Sequence, residues 1–324
     1  MPLRVVLAVG EGDDIAPSLV EQVPGLEIVR VRGHETLAEA LAEADAVVCN
    51  RLEPADTRGA RKLRLVQATS AGADRVDPAA LPPGCVLCNA YEHEDAIAEW
   101  VLMAVLALTR HLLRYDLGLR ENDWSRGLPL ERELRGRTIG TLGFGHIGRR
   151  VVELARAFGM DAIAVTRSPA PDRARAGGLR WLGSLGELDR LFSEADVAVV
   201  SVPLTEETRD LVGARQLELL GPDGYLANIA RGAVVQERPL YEALRDGRIA
   251  GAALDVWWKY PETRSAKAQP SAYPFHELDN VVMTPHVSGR AEGTRRGRTA
   301  FVVDQLVRLA EGRPLENVLH VGDD

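Results

Sequence analysis

Cysteine is scarce in this chain, with three residues in a length of 324. So few thiols cannot build the disulfide framework of a small secreted protein. Cys85 and Cys88 have the spacing of half a zinc site, but Cys49 is the remaining thiol and no pair of histidines follows at ligand spacing. Residues three apart on a strand point to opposite faces of the sheet. We therefore expect ordinary strand packing for these thiols and no bound metal.

Long apolar runs are scarce as well, and acidic residues outnumber basic ones. No apolar run reaches the length that crosses a bilayer, and the first apolar segment is shorter than the core of a secretory signal. The net charge of −8 argues against nucleic acid or an anionic membrane as a partner. We expect a cytoplasmic globular protein with two hydrophobic cores, which binds any anionic ligand through local positive groups.

The chain does contain a regular alternation of short apolar runs and helical patterns, which predicts an α/β fold. One group of predicted strands covers residues 3–9, 27–32, 46–49, 65–68 and 86–88. A second group covers residues 138–142, 161–166, 195–201, 225–229, 251–255 and 280–284. Helices are predicted over residues 36–43, 97–120, 149–158 and 294–311, and the apolar pattern of 97–120 predicts one long buried helix.

A glycine-spaced turn joins the strand over 138–142 to the following helix. An anionic phosphate bridge can contact backbone amides only where side chains are absent, and the helix directs its unpaired amides at the anion. The alternative is an ordinary glycine-rich turn, but the strand, helix and second strand supply the βαβ context of a dinucleotide site. The candidate residues are Gly143, Gly145, His146, Ile147 and Gly148.

Arg167 and Ser168, which follow the second strand, bear on which dinucleotide is bound. Enzymes that prefer NAD usually carry Asp or Glu there to hold the ribose hydroxyls. A guanidinium and a hydroxyl instead favour the 2′-phosphate of NADP, and Arg173 and Arg175 would enlarge that basic patch. Asp172 lies too far along to serve as the ribose ligand. The alternative is NAD, with Arg167 stacked on adenine or facing solvent.

Four further motifs follow in order, and they carry a family resemblance. They are Ser-Val-Pro-Leu at 201–204, Asn-Ile-Ala-Arg-Gly at 228–232, Ala-Leu-Asp-Val at 253–256 and Thr-Pro-His-Val-Ser-Gly at 284–289. Together with the glycine turn, they resemble the D-isomer-specific 2-hydroxyacid dehydrogenases, in particular the glyoxylate and hydroxypyruvate reductases. The similarity extends over nearly the whole chain.

The resemblance implies an α/β architecture of two Rossmann-like, doubly wound domains. A flavodoxin-like substrate domain would comprise residues 1–97 and 290–324, and an NAD(P)-binding domain would comprise residues 98–289. It also implies a cleft that closes on the cofactor and a small anionic substrate, and a homodimer formed through the coenzyme domains.

Reduction of a 2-keto acid needs a hydride from the nicotinamide, a proton for the forming alkoxide, and donors that hold the carboxylate. Arg231 is the predicted carboxylate clamp, because its planar fork can bind two oxygens at once. His286 is the predicted acid and base, because imidazole titrates near neutral pH. A surface ion-pair arginine and a packed or solvated histidine are the alternatives.

The resemblance also implies roles for residues around this pair. The turn that begins at Ser70, Ala71 and Gly72 is similar to the family's carboxylate-binding loop. His93 or Glu94 would lie near the substrate, and a capping or solvated turn is the alternative for both. Trp257 and Trp258 would wall the pocket or pack beneath the domain. The cofactor would contact Pro203, Thr208, Ile229, Ala230, Asp255 and Gly289, with Asp255 near the nicotinamide amide.

Tyr260 is a departure from the family pattern, because it occupies the place of a glutamate that hydrogen-bonds the catalytic imidazole. A neutral phenol orients the ring without stabilising imidazolium, unless Glu262 takes over from the adjacent loop. Relatives that act on formate also lack the glutamate and carry a similar Asp-Val-Trp sequence. Two other functions therefore stay open at this point: a formate-like or phosphite-like dehydrogenase, and a dinucleotide-sensing corepressor-like protein.

Overall fold

The structure, a computed structural model, describes residues 3–9, 23, 25–31, 36–125, 130–170, 172, 174, 177–261 and 267–323. Contacts divide the chain into two compact units. The first comprises residues 1–92 and 291–324, and the second comprises residues 93–290. The chain thus passes between the units at residues 92 and 93, where the sequence analysis placed the boundary at 97 and 98.

The first unit contains a six-stranded sheet. Five strands are parallel in the order β2-β1-β3-β4-β5, and β13 adds an antiparallel edge beside β5. This is the flavodoxin-like strand order. The strands are β1 Arg4–Ala8, β2 Glu27–Arg30, β3 Ala46–Cys49, β4 Leu65–Gln67, β5 Val86–Cys88 and β13 Val318–Val321.

Two helices among the described residues cover the faces of this sheet. On one face, α1 (Leu37–Leu41) buries Leu37 and Leu41 against Val47 and Val66. On the other face, the long helix α8 (Glu292–Glu311) packs Val302 and Leu306 against the opposite sides of the same strands. The central strands β1 and β3 are therefore covered by apolar contacts on both faces, as a buried parallel sheet requires.

The second unit contains a seven-stranded parallel sheet in the order β8-β7-β6-β9-β10-β11-β12. The order reverses between β6 and β9, as in a Rossmann fold, so the carboxyl ends on both sides of that point form a ligand-binding edge. The strands are β6 Thr138–Leu142, β7 Asp161–Val165, β8 Trp181–Gly183, β9 Val197–Val200, β10 Tyr225–Asn228, β11 Gly251–Leu254 and β12 Val281–Met283.

Helices cover both faces of the second sheet as well. The helices of this unit are α2 Glu94–Thr109, α3 Leu112–Arg120, α4 His146–Ala157, α5 Leu188–Glu194, α6 Ala214–Leu220 and α7 Glu237–Arg245. The face of α2 and α4 is packed with Val101, Val105 and Val152, and the opposite face, formed by α5, α6 and α7, is packed with Phe192 and Leu217. The predicted α/β class with two Rossmann-type sheets is thus confirmed.

The prediction of one long buried helix over residues 97–120 is wrong. His111 adopts a left-handed φ of 49° and ends the helical path, so α3 starts anew at Leu112. α3 has no buried residue among those described, whereas α2 is buried over much of its length. In the described part of the chain no single helix has the length and apolarity to cross a membrane, and α2 and α3 meet those criteria only as a pair bent by 64°.

The predicted strands are present within a residue or two of their bounds where they are described, and residue 32 of the second lies outside the described residues. Two strands were missed. β8 is three residues long, and β13 is exposed at three of its four positions, so neither shows the apolar run that marks a central strand. Both lie at sheet edges, where fewer positions are buried and fewer therefore need apolar residues.

Candidate active site

The structural reason for having glycine differs among the three positions of the turn after β6. Gly143 has a φ of +104°, and a Cβ there would lie 2.9 Å from Ser201. A Cβ on Gly148 would lie 2.2 Å from the Gly143 carbonyl oxygen. A Cβ on Gly145, by contrast, would meet no described atom within 4 Å. Gly143 and Gly148 are therefore needed for packing, whereas Gly145 leaves the open space that the approach of a pyrophosphate requires.

Helix α4 begins directly at this turn, with His146 and Ile147 as its first residues. Gly145 is the N-cap, and no side chain among the described residues caps the helix through a hydrogen bond. Its first-turn amides and positive dipole end suit an anion. The His146 Nδ1 lies 3.6 Å from the Glu94 carboxylate, so the start of α4 is held near the start of α2.

Arg167 and Ser168 follow β7 immediately and are both exposed. The chain leaves the sheet one residue earlier, where the Thr166 amide bonds to the Gly183 carbonyl at 2.9 Å. The two side chains are thus accessible at the carboxyl end of β7. Arg173 and Arg175, which were predicted to enlarge the basic patch, lie outside the described residues.

The loop after β9 carries Pro203, which is exposed, and Thr208, which is buried. The Thr208 hydroxyl donates to the Pro203 carbonyl at 2.6 Å and accepts from the Thr205 amide at 2.8 Å. Thr208 therefore shapes the loop that presents Pro203. Ser201, to which the sequence analysis gave no role, bonds through Oγ to the Gly143 carbonyl at 3.1 Å and braces the glycine turn.

Arg231 follows β10 after the buried residues Ile229 and Ala230. It is half-buried, and its Nη1 donates to the Ala230 carbonyl at 2.8 Å. The fully buried Asn228 side chain accepts from the Ala230 amide and donates to the Arg231 carbonyl, each at 3.1 Å. A Cβ on the next residue, Gly232, would lie 2.4 Å from the Trp257 backbone, so this turn admits no larger residue there.

His286 follows β12 and is exposed, with a left-handed φ of 58°. Asp255, which follows β11, is fully buried beneath it. The Asp255 carboxylate accepts from the Thr284 hydroxyl at 2.5 Å and from the Val287 and Ser288 amides at 2.8 Å. The predicted contact of Asp255 with the nicotinamide amide stays a prediction, and its described contacts are with the turn that carries His286.

Tyr260 lies beside His286. Its Oη is 3.1 Å from the His286 Nδ1 and accepts from the Trp257 amide at 3.2 Å. The side chain at the position of the family glutamate thus contacts the imidazole that the sequence analysis paired with it. Glu262, the proposed substitute, lies outside the described residues.

Trp257 and Trp258 pack within the second unit. Trp257 is 6% exposed, donates from Nε1 to the Thr284 carbonyl at 2.9 Å, and meets Phe275 edge to face. Trp258 stacks on Phe275 at 5.6 Å and donates to the Val235 carbonyl. For Trp257 the structure favours the alternative of packing beneath the domain over a role as pocket wall.

His93 and Gly289 meet at the start of α2. His93 is buried at the N-cap of α2, and a Cβ on Gly289 would lie 3.4 Å from the His93 Cβ. That distance is ordinary van der Waals contact, so the two residues are neighbours without a steric need for glycine at position 289. The substrate role of His93 stays a prediction.

The predicted carboxylate-binding turn belongs to the first unit, after β4. Ser70 donates through Oγ to the Gly72 carbonyl at 2.8 Å, and the buried Asn89 side chain donates to the Ala71 carbonyl at 2.7 Å. Asn50 also contacts the turn, because its Oδ1 accepts from the Thr69 amide at 2.9 Å. Side chains at the ends of β3 and β5 thus hold the turn in place.

The three thiols are buried in the first unit. Burial raises the pKa of Cys49 and Cys85 to about 12 and that of Cys88 to about 11. They therefore remain protonated at neutral pH and are poor nucleophiles and poor metal ligands. Among the described residues, no three His, Cys, Asp or Glu side chains are grouped so that they could hold a metal ion.

Most of these residues lie at one edge of the second sheet. Arg231, Tyr260 and His286 follow the adjacent strands β10, β11 and β12, and the glycine turn follows β6 of the same parallel sheet. A guanidinium and an imidazole with a hydroxyl partner can bind a carboxylate and move a proton beside a dinucleotide.

Comparison with known proteins agrees with this arrangement. A family model described as "D-isomer specific 2-hydroxyacid dehydrogenase, NAD binding domain" matches residues 102–288. A glyoxylate reductase of Thermococcus onnurineus is 33% identical over 296 residues, which cover 86% of this chain and 83% of that protein. A D-3-phosphoglycerate dehydrogenase of Methanocaldococcus jannaschii is 31% identical over 312 residues, or 94% of this chain, but the chain spans only 57% of that protein's length.

Two solved structures have the same two-domain fold. The NADPH-dependent glyoxylate/hydroxypyruvate reductase from Sinorhizobium meliloti, in complex with NADP and malonate, superposes with a TM-score of 0.80 at 27% identity, covering 98% of this chain and 97% of that one. A dehydrogenase from Xanthobacter autotrophicus in complex with NADPH gives 0.81 at 27% identity, covering 99% and 98%. The chain therefore belongs to the D-isomer specific 2-hydroxyacid dehydrogenase family, and its cofactor is a nicotinamide dinucleotide.

Proposed function

We propose that this protein is an NADP-preferring reductase of small 2-keto acids such as glyoxylate or hydroxypyruvate. The observation that carries the proposal is the gathering of Arg231, the Tyr260–His286 pair and the glycine turn at the carboxyl edge of one parallel sheet. Relatives named glyoxylate reductase and a solved structure holding NADP and malonate support it.

Each site residue has its own role in the proposed reaction. A reduced nicotinamide supplies the hydride to the 2-keto carbon. Arg231 binds the substrate carboxylate and the neighbouring carbonyl oxygen through its planar fork, which fixes the face of the keto group. His286 gives its proton to that oxygen as the carbonyl becomes a hydroxyl, and it accepts the proton when the reaction runs in reverse.

In this reaction Tyr260 can be either the hydrogen-bond donor or the hydrogen-bond acceptor to His286. Its Oη accepts a hydrogen bond from the Trp257 amide and lies at hydrogen-bond distance from His286 Nδ1, and a phenolic hydroxyl can both donate and accept. The hydroxyl donates to a neutral Nδ1 and accepts from the N–H of imidazolium. Tyr260 therefore orients the ring in both protonation states, whereas a carboxylate would also stabilise the positive one.

Replacing Tyr260 with glutamate is expected to move the pH profile of reduction upward. A carboxylate beside His286 stabilises imidazolium, the form that donates the proton, so activity should persist to a pH about one unit higher. The measurement is kcat/KM for 2-keto acid reduction from pH 5 to 10. Tyr260→Phe is the matched control, because it keeps the ring but adds no charge. An unchanged profile for Tyr260→Glu would discard the role of this contact.

The preference for NADP is proposed from Arg167 and Ser168. Both are exposed directly after β7, where the 2′ position of the adenosine ribose lies in Rossmann folds, and neither carries the negative charge that would repel a phosphate. A guanidinium and a hydroxyl can both donate to phosphate oxygens.

Replacing Arg167 with aspartate is expected to reverse this preference. Loss of a charge-assisted contact and the added repulsion should lower kcat/KM for NADPH about 100-fold, which corresponds to about 3 kcal/mol. The value for NADH should change little, and Arg180→Asp, an exposed arginine at the opposite, amino end of the neighbouring strand β8, is the control. If the wild-type protein already uses NADH far better than NADPH, the argument from Arg167 fails.

We also propose that the protein is a homodimer formed through the second unit. The supporting observation is a group of exposed large apolar side chains that lie close together in sequence, on and near α3. Exposed apolar patches often mark protein interfaces. The group comprises Met103, Leu112, Leu113, Leu117, Leu119, Trp124 and Leu130.

A glutamate at Leu117 is expected to dissociate the dimer. A charge placed within an apolar interface should weaken self-association by about 2 kcal/mol or more. Sedimentation equilibrium measures the dissociation constant. Leu319→Glu, an exposed leucine on β13 of the first unit, should leave the dimer intact. Equal effects of the two substitutions would place the interface elsewhere.

Turnover tests the proposed function. Oxidation of NADPH and NADH is followed over a panel of 2-keto acids, and reduction of NADP and NAD over a panel that includes formate and phosphite. We expect oxidation of NADPH by glyoxylate or hydroxypyruvate. Tight binding of NADPH without turnover would indicate a sensor, and activity only with formate or phosphite would indicate the other dehydrogenase class; the named relatives favour neither.

A further inference from the structure

Two buried polar side chains lie at the ends of neighbouring strands under the proposed active site. Asn228 ends β10 and Asp255 follows β11, and both are fully buried. The Asp255 amide donates to the Asn228 carbonyl at 3.2 Å, so their backbones are directly connected. A buried amide or carboxylate must satisfy its hydrogen bonds within the protein, and the partners it finds become fixed.

Asn228 fixes the turn that carries Arg231. Its Oδ1 accepts from the Ala230 amide and its Nδ2 donates to the Arg231 carbonyl, so both halves of the amide hold the main chain. The next residue, Gly232, packs against the Trp257 backbone and blocks movement in that direction. The position of the Arg231 Cα is thus set by a side chain three residues earlier.

Asp255 fixes the turn that carries His286. Its three hydrogen bonds come from Thr284, two residues before the histidine, and from the Val287 and Ser288 amides just after it. His286 itself has a left-handed φ of 58°, which is sterically disfavoured for a residue with a Cβ. The carboxylate therefore holds the histidine from both sides in a conformation that is uncommon for a residue other than glycine.

We propose that Asn228 and Asp255 are positioning residues that together set the separation of the Arg231 guanidinium and the His286 imidazole. This inference rests on the proposed function, in which these two groups act on one substrate. It gives Asp255 a role other than the predicted contact with the cofactor. Errors of about 1 Å in the placement of reacting groups can reduce turnover about 100-fold.

The reciprocal variants Asp255→Asn and Asn228→Asp test the proposal. Asp255→Asn turns one acceptor into a donor that faces N–H and O–H groups, and Asn228→Asp sets an anion against the Arg231 carbonyl. Each should lower kcat about 100-fold at a temperature well below unfolding, with the dissociation constant for NADPH changed less than about threefold. Asp196→Asn is the matched control, because Asp196 accepts from the Thr138 amide at the opposite edge of the same sheet.

Two further variants separate positioning from folding. Thr284→Val removes one of the three hydrogen bonds of Asp255 and keeps the side-chain shape, so a loss of about tenfold is expected without loss of the fold. In a His286→Gln background, Asp255→Asn should cause less than about a twofold further loss, because residues that act through one another are not additive.

Specific outcomes overturn the inference. A raised dissociation constant for NADPH in Asp255→Asn would make Asp255 a cofactor contact, and an equal loss of kcat in Asp196→Asn would make the effect one of general packing. Full activity of Asp255→Asn and Asn228→Asp, while Arg231→Gln and His286→Gln are inactive, removes the positioning role alone. Full activity of all four variants would instead remove the proposed function.

Discussion

Replacing Arg231 with glutamine is expected to reduce kcat/KM for 2-keto acids about 1,000-fold, because the variant loses a charged, two-pronged contact with the reacting carboxylate. Arg231→Lys keeps the charge and loses the planar fork, so it should recover only part of the activity. The loss should appear in kcat as well as KM, since the fork also orients the carbonyl toward the hydride. Steady-state kinetics with glyoxylate and hydroxypyruvate give both values.

The control for Arg231 is an arginine outside the proposed site. Arg215 is exposed and paired with Asp189 through Nε at 2.6 Å, so Arg215→Gln should keep wild-type kinetics. Binding of NADPH should be similar in all three variants, because Arg231 is assigned to the substrate. If Arg231→Gln turned over keto acids at the wild-type rate, another cation would have to bind the carboxylate.

His286→Gln is the second variant for which a large effect is expected. Removing the proton donor should lower kcat by about 1,000-fold, within the usual contribution of general acid catalysis. The imidazole should also account for the limb of the pH profile near neutrality, so the residual activity of the variant should lose that limb. The measurement is kcat/KM as a function of pH for both proteins.

An exposed histidine elsewhere serves as the control for His286. His276 is exposed in the second unit, and His276→Gln should keep both the rate and the pH profile. A His286→Gln protein that keeps the neutral limb would show that another group titrates there. Retention of the full rate would remove His286 from proton transfer.

The glycine turn and the strand ends could be predicted from the sequence because their causes are local. Gly143 needs a positive φ and Gly148 needs close contact with its own turn, so both leave a fixed spacing in the chain. Central strands are buried on both faces and therefore appear as apolar runs, as β3 and β9 do.

Other features depend on contacts between distant residues and could not be predicted. The break at His111 carries no proline or glycine, and the apolar pattern continues through it into α3. From the sequence, Trp257 could lie in a pocket wall or in the core. Its contacts with Phe275 and the Thr284 carbonyl, which favour the core, are known only from the structure. The hydrogen bonds of Asp255 to the turn of His286 can be recognised only once β11 and β12 are known to be adjacent.

Isotope transfer tests the central claim most directly. The protein is incubated with hydroxypyruvate and NADPH that carries deuterium at both C4 positions, and the hydroxy acid formed is analysed by mass spectrometry and NMR. Direct hydride transfer predicts one deuterium at C2 of the product and none in its hydroxyl after exchange with water. A product without deuterium at C2, or bound NADPH that is never oxidised by any keto acid of the panel, would contradict the account.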